Sequence, residues 1–192
     1  IDDKVINFVV DSTETVEIKS DYQTFSSEYT VSGSESNIKI KELSLLQAEL
    51  QEKVNGLNNS GMPVGLVKDS LSRMVTSYKN DVKRNYIYKE PDKASSYFAL
   101  FQQLNGFMIF DPFSDKEDVK CFAAVATSLN HRYPHADRSR NLYNMVIKGM
   151  KNTRTPQAKP IEIPADMVSE TSIIDIPLKN INGEIKHLIK VK

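Results

Sequence analysis

Cysteine is nearly absent from this chain: Cys121 is the only one in 192 residues. A lone thiol forms no internal disulfide and no CxxC redox pair, and it excludes a four-cysteine zinc site. Tryptophan is missing altogether. Charge of either sign is not in surplus, since 25 Lys and Arg balance 25 Asp and Glu. That balance, without a basic run, removes the electrostatic footprint of a general nucleic-acid binder. No stretch approaches the roughly 18 apolar residues that a membrane-spanning helix needs. The glycines Gly33 and Gly61 stand isolated rather than in a phosphate-cradling loop, and neither GxSxG nor GKS/T occurs. The chain opens Ile1-Asp2-Asp3, without Met, signal peptide or lipidation motif, and reads as a processed or engineered piece.

What is present suffices for a folded domain. Hydrophobic residues make up 40% and charged residues 26%, which is ordinary for a globular protein and argues against disorder. At about 150 residues per domain, the length allows one domain or a little more.

The first thirty-odd residues read as strands. Val5-Ile6-Asn7-Phe8-Val9-Val10 is β-rich, and Thr15–Lys19 and Glu28–Ser32 alternate apolar with polar side chains, the period of a half-buried strand. Ser34-Glu35-Ser36-Asn37 then offers capping oxygens. Leu43, Leu46, Leu50, Val54 and Leu57 follow on one helical face, predicting a helix over 37–57. A second stripe, Val67, Leu71, Met74, Tyr78 and Val82, predicts a helix over 64–89 that stops before Pro91. A third helix, capped by Asp92, carries Tyr97, Phe101, Leu104 and Met108. After the turn Asp111-Pro112-Phe113, the segment Ser114-Asp115-Lys116-Glu117 reads as a capping box. The fourth helix buries Val119, Phe122, Ala126 and Leu129 and ends at Tyr133-Pro134. The fifth, 136–151, faces inward with Leu142, Met145, Val146 and Met150.

Two passages resemble one another. Tyr88-Lys89-Glu90-Pro91 and Arg132-Tyr133-Pro134 each follow one helix and open the next, their prolines 43 positions apart, as in helical-pair repeats. Pro156, Pro160 and Pro164 then forbid a regular helix and favour an extended linker. Ile174, Ile176 and Leu178 alternate before Asn182-Gly183, and Ile185, Leu188 and Val191 follow. Asn-Gly between apolar runs is a strong hairpin signal. The fold class is therefore α+β, predominantly helical: short antiparallel strands, about five antiparallel-packed helices, a linker and a C-terminal β-hairpin. The divisions are 1–34 (β element), 35–152 (helical domain), 153–172 (linker) and 173–192 (hairpin, the start of a further domain).

Candidate chemical groups are few. Cys121, near the start of the fourth helix, reads as a small semi-buried hydrophobe, because Lys120 points about 100° away from it. His131 and His135 have the i, i+4 spacing of a metal pair, with Asp137 as a third ligand, but Pro134 between them breaks the helix. His187 reads as a strand surface residue. Tyr97-Phe98-Ala99-Leu100-Phe101, with Phe107, Phe110 and Phe113, would line a ligand groove or, as the preferred reading, bury as core. Asp115, Glu117 and Asp118 complement a helix dipole without needing a cation. No residue is assigned as catalytic, cofactor-binding or metal-ligating.

Ile174-Asp175-Ile176-Pro177-Leu178-Lys179-Asn180-Ile181-Asn182-Gly183-Glu184 resembles the opening of the thioredoxin-like domain in TlpA-like thiol–disulfide oxidoreductases, with Ile176 in place of the usual aromatic and Asn180 in place of the usual Asp. Ser95–Phe101, Phe110-Asp111-Pro112, Phe122–Ser128 and Tyr133-Pro134 through Asn144 are similar to the helical segment that precedes that domain in envelope lipoproteins of Gram-negative anaerobes, and Val31-Ser32-Gly33-Ser34 to the end of their N-terminal β domain. The resemblance implies a lipid-anchored, periplasm-facing protein whose thioredoxin-like domain follows Lys192. The family's CxxC has no counterpart here. The expected function is thus a non-catalytic N-terminal region that positions a redox domain or recognises a protein or peptide partner, with membrane contact only through an anchor outside this chain. The alternative is a self-contained helical-repeat binding module for a peptide or glycan.

Overall fold

The computed structural model describes residues 5–10, 14–25, 27–154, 177–179 and 185–187. The protein is α+β and predominantly helical. Its chain forms two compact units, Ile1–Arg154 and Thr155–Lys192.

The first unit begins with a departure from the sequence reading. Residues 5–10 carry strand-forming side chains but pair with no strand among the described residues. Instead the Val9 N–H donates to Asn37 Oδ1 at 2.8 Å, and Asn37 Nδ2 donates to the Val9 carbonyl at 2.6 Å. A carboxamide offers one donor and one acceptor side by side, so the buried Asn37 substitutes for a neighbouring strand at that one residue. Strand β1 (Glu17–Ser20) pairs antiparallel with β2 (Tyr29–Ser32), with Glu17 opposite Ser32 and Ser20 opposite Tyr29. Gly33 closes this hairpin onto the next helix at φ +85°, where a Cβ would lie 1.9 Å from the Thr15 carbonyl oxygen. Only glycine fits there.

Helix α1 (Glu35–Asn58) starts at Ser34, whose hydroxyl accepts from the Asn37 N–H. Ile40, Leu43, Leu50 and Val54 are buried, whereas Leu46, placed in the same stripe by its spacing, is exposed. Helix α2 (Val64–Val82) buries Tyr78 and Val82. The helix expected to run on to 89 instead widens into a π-helical turn, Lys83–Ile87, closed by Tyr88 N–H donating to Lys83 O at 2.9 Å. The widened turn is stabilised by the buried Ser96, whose hydroxyl lies 2.9 Å from Tyr86 O and 2.7 Å from Glu90 O.

Helix α3 is short, Ala94–Leu100, and its N-cap is Lys93 rather than Asp92. The helical pattern extended to Met108 fails because Asn105 and Gly106 take φ of 52° and 81°, values suited to a tight hairpin. They join β3 (Gln103–Leu104) to β4 (Phe107–Met108). Gln102 anchors this hairpin from below: its Nε2 donates to Leu43 O at 2.9 Å, and its Oε1 accepts from Tyr78 OH at 2.8 Å.

Helices α4 (Lys116–Arg132) and α5 (Asp137–Thr153) form an antiparallel pair around the Tyr133-Pro134 corner. Asp115, not Ser114, caps α4, accepting from the N–H groups of Glu117 and Asp118. Leu142 and Val146 of α5 are buried, but Met150 is 49% exposed, against its expected inward position. The core joins these helices to α1 and α2 through Phe122, Val125, Leu100, Ile87, Leu43 and Phe110.

In the second unit, β5 (Pro177–Lys179) pairs antiparallel with β6 (Ile185–His187), Pro177 opposite His187 and Lys179 opposite Ile185. The Pro-spaced segment and the Asn182-Gly183 turn lie outside the described residues.

Two glycines make a paired test. At Gly149 a Cβ would stand 2.0 Å from Pro112 O and 2.9 Å from Val119 Cγ2, whereas nothing lies within 4 Å of one at Gly56. Gly149→Ala is expected to lower unfolding free energy by about 1–3 kcal/mol, and Gly56→Ala to raise it by about 0.5–1 kcal/mol. Urea midpoints of the two variants check both signs.

Candidate functional site

The acidic first turn of α4 divides by direction. Glu117 faces solvent and pairs with Lys120 at 2.6 Å. Asp118 turns inward and is fully buried. Its Oδ2 accepts from Lys79 Nζ at 2.5 Å and from the Asp111 N–H at 2.8 Å. Lys83 Nζ lies 3.4 Å from the other oxygen, Oδ1, at ion-pair distance but without hydrogen-bond alignment. Both lysines also lie over the Phe110 ring, at 5.6 and 5.9 Å. Asp111 turns its own carboxylate to the N–H groups of Phe113 and Ser114, and these bonds, the Phe113 one foremost, hold its pKa below the usual value. The sequence reading missed this cluster. Asp115 caps the helix and lies 3.6 Å from Lys79 Nζ at its exposed edge, whereas the buried Asp118 neutralises Lys79 of α2 and Lys83 of the π-helical turn from within.

Cys121 is one turn further along α4 and fully buried. Burial pushes its thiol pKa up, which disfavours the reactive thiolate. Its sulfur lies 3.3 Å from Tyr88 OH, and burial followed by this contact raises the Tyr88 hydroxyl in turn. His131 sits in the exposed last turn of α4, and His135 lies beyond it in the corner. Asp137 pairs with Arg140 at the start of α5. Among the described residues, no group of three His, Cys, Asp or Glu is placed to hold a metal. His187 ends β6.

The aromatic residues separate into three roles. Phe110 is core, as the preferred reading has it. Phe107 is 78% exposed at the tip of the β3–β4 hairpin, against that reading. Tyr97, Phe98 and Phe101 are half-buried and form one wall of a cavity of about 460 Å³. Leu129, Arg132 and Tyr133 supply the end of α4 to the same cavity. Ala136, Arg138 and Ser139 supply the start of α5, and Val9 and Val10 close it from the N-terminal segment. The Tyr97 and Phe101 rings are 4.9 Å apart, and Phe101 meets buried Phe122 edge-on at 5.7 Å, so the wall is braced on the core.

A sequence signal for this site exists. The two similar proline-marked passages open α3 and α5, and both openings border the cavity. They are bridged by Arg132 and Asp92 at 2.5 Å. Arg138 lies over the Tyr97 ring at 5.9 Å. A hollow of this size with an apolar wall and a few polar groups is within the range of small-ligand pockets. No described helix is long and apolar enough to cross a membrane. Comparison with protein-family models, with curated proteins and with solved structures found no match.

Removing the carboxylate of Asp118 leaves two largely buried ammonium groups without their main counter-charge. Asp118→Asn is therefore expected to cost about 3 kcal/mol or more, and the double variant Asp118→Leu/Lys79→Met less than the sum of its single substitutions. Urea denaturation of the wild type, Asp118→Asn, the singles Asp118→Leu and Lys79→Met and their double variant measures this; additivity in the cycle would contradict it.

Proposed function

We propose that residues 5–154 form a recognition module whose working surface is the cavity between α3, the α4–α5 corner and the N-terminal segment, and that it takes an apolar group from a protein or peptide partner. The observation that carries this reading is the Tyr97–Phe98–Phe101 wall. Three rings from the two-turn helix α3 and its C-cap residue Phe101 are left half-buried around an open hollow, although the core lies directly behind them. Apolar surface held open in this way is what a binding cleft requires. The test uses Ala136→Trp, which fills the mouth from an exposed position with extended backbone. Random peptides displayed on phage are selected on the full chain. The expected outcome is a set whose affinity falls by about tenfold or more in the variant. Selection of no peptides, or of peptides bound equally by both proteins, would overturn the reading.

We infer further that the module belongs to a cell-envelope, periplasm-facing, lipid-anchored protein of the thiol–disulfide oxidoreductase type, in which it recognises a partner or positions the redox domain. Two observations favour this setting. The antiparallel pairing of Pro177–Lys179 with Ile185–His187 joins the segment that resembles the opening of a thioredoxin-like domain, 174–184, to the residues just after it, as the expected hairpin requires. The burial of Cys121 and its raised pKa favour a division in which dithiol chemistry is done outside residues 5–154. Insulin-disulfide reduction by the 192-residue chain is expected to stay at background. Reduction that disappears in Cys121→Ser would refute the division.

A further inference from the structure

The cavity carries charge as well as rings, and the arrangement of that charge limits what the partner presents. Three cations border it, Lys93, Arg132 and Arg138, against the carboxylates of Glu14 and Asp92. The arginines are not equivalent. Arg132 is engaged with Asp92 at 2.5 Å. Arg140, next to the lining residue Ser139, is engaged with Asp137. Arg138 has no ion pair among the described residues and is held over the face of Tyr97. A guanidinium over a ring face keeps its charge and its fork of N–H donors, and from its exposed position Arg138 can turn that fork to a carboxylate for bidentate capture. The same Tyr97 ring belongs to the apolar wall. Cation and wall are therefore within 5.9 Å of one another, and a ligand that satisfies both carries a negative charge and an apolar group a few bonds apart.

A peptide's last residue meets that requirement, since its carboxylate and side chain share one Cα. An internal acidic residue meets it less readily, because its carboxylate and the apolar anchor sit on separate side chains whose rotations must all be fixed on binding. We propose that the cavity binds the C-terminal residue of a peptide, an aromatic or branched aliphatic one, with Arg138 on the terminal carboxylate and Tyr97, Phe98 and Phe101 on the side chain. This inference rests on the recognition reading above and names its ligand class.

The test is fluorescence anisotropy with the full chain and a fluorescein-labelled hexapeptide, Gly-Ser-Gly-Ser-Gly-Phe, as the free acid and as the C-terminal amide. The free acid is expected to bind about tenfold tighter or more than the amide. Arg138→Gln, an exposed position, should remove that difference while leaving the melting temperature unchanged. Ala136→Trp should weaken both peptides. N-acetylphenylalanine competing as strongly as the free-acid peptide would assign the site to a small amphipathic acid and overturn the chain-end proposal. Equal binding of acid and amide, both lost in Ala136→Trp, would overturn the carboxylate role and leave the recognition reading standing. Failure of both peptides, with display-selected internal sequences still bound through the cavity, would overturn the chain-end proposal alone. The absence of any cavity-dependent binding would remove both.

Discussion

The buried carboxylate of Asp118 is the constraint on which the first unit turns. It is fully removed from water and draws Lys79 and Lys83 to the base of α4 while accepting the Asp111 N–H on the same oxygen as Lys79. An uncompensated charge there would be expensive, so the lysines and the carboxylate must arrive together. Lys83 is the first residue of the π-helical turn that ends α2, and that turn is supported by Ser96 of α3. The ion cluster, the widened turn and the placement of α3 are thus one arrangement. The aromatic wall follows from it, because Tyr97 is the next residue after Ser96.

Where the chain's regularity is long, its structure can be read from the sequence. Four helices, α1, α2, α4 and α5, lie where their apolar stripes place them; α2 gives way to the π-helical turn at Lys83, and the other ends move by one to a few residues. The short elements are harder. The stripe Tyr97, Phe101, Leu104, Met108 has helical spacing, yet only its first part is helical, because Asn105-Gly106 follows too closely for the pattern to reveal a break. The Val5–Val10 run has β-forming composition, but strand formation needs a partner edge, and the nearest group able to pair is the Asn37 carboxamide. Composition specifies what a segment can do; the available partner decides what it does.

The candidate site was partly legible for the same reason. The repeated proline-marked openings point to the two helix starts that border the cavity. What they do not convey is that α3 stops after two turns. Asp118 escaped attention because an acid in a first turn already has a sufficient local explanation in the helix dipole, and nothing in its neighbours' identity signals that Lys79 lies opposite, 39 residues earlier.

Gly149 has a consequence beyond packing. Its missing side chain leaves the space that the Pro112 carbonyl occupies against α5, so it acts as an index mark for the helix. Sliding α5 by one residue in either direction would bring Lys148 or Met150 against that oxygen, and neither fits. Three turns away, about 16 Å along the axis at 1.5 Å per residue, the same helix carries Arg138 and Ser139 at the rim of the cavity. The phase of that rim is therefore set from the far end of α5, by a residue whose contribution is a single hydrogen atom.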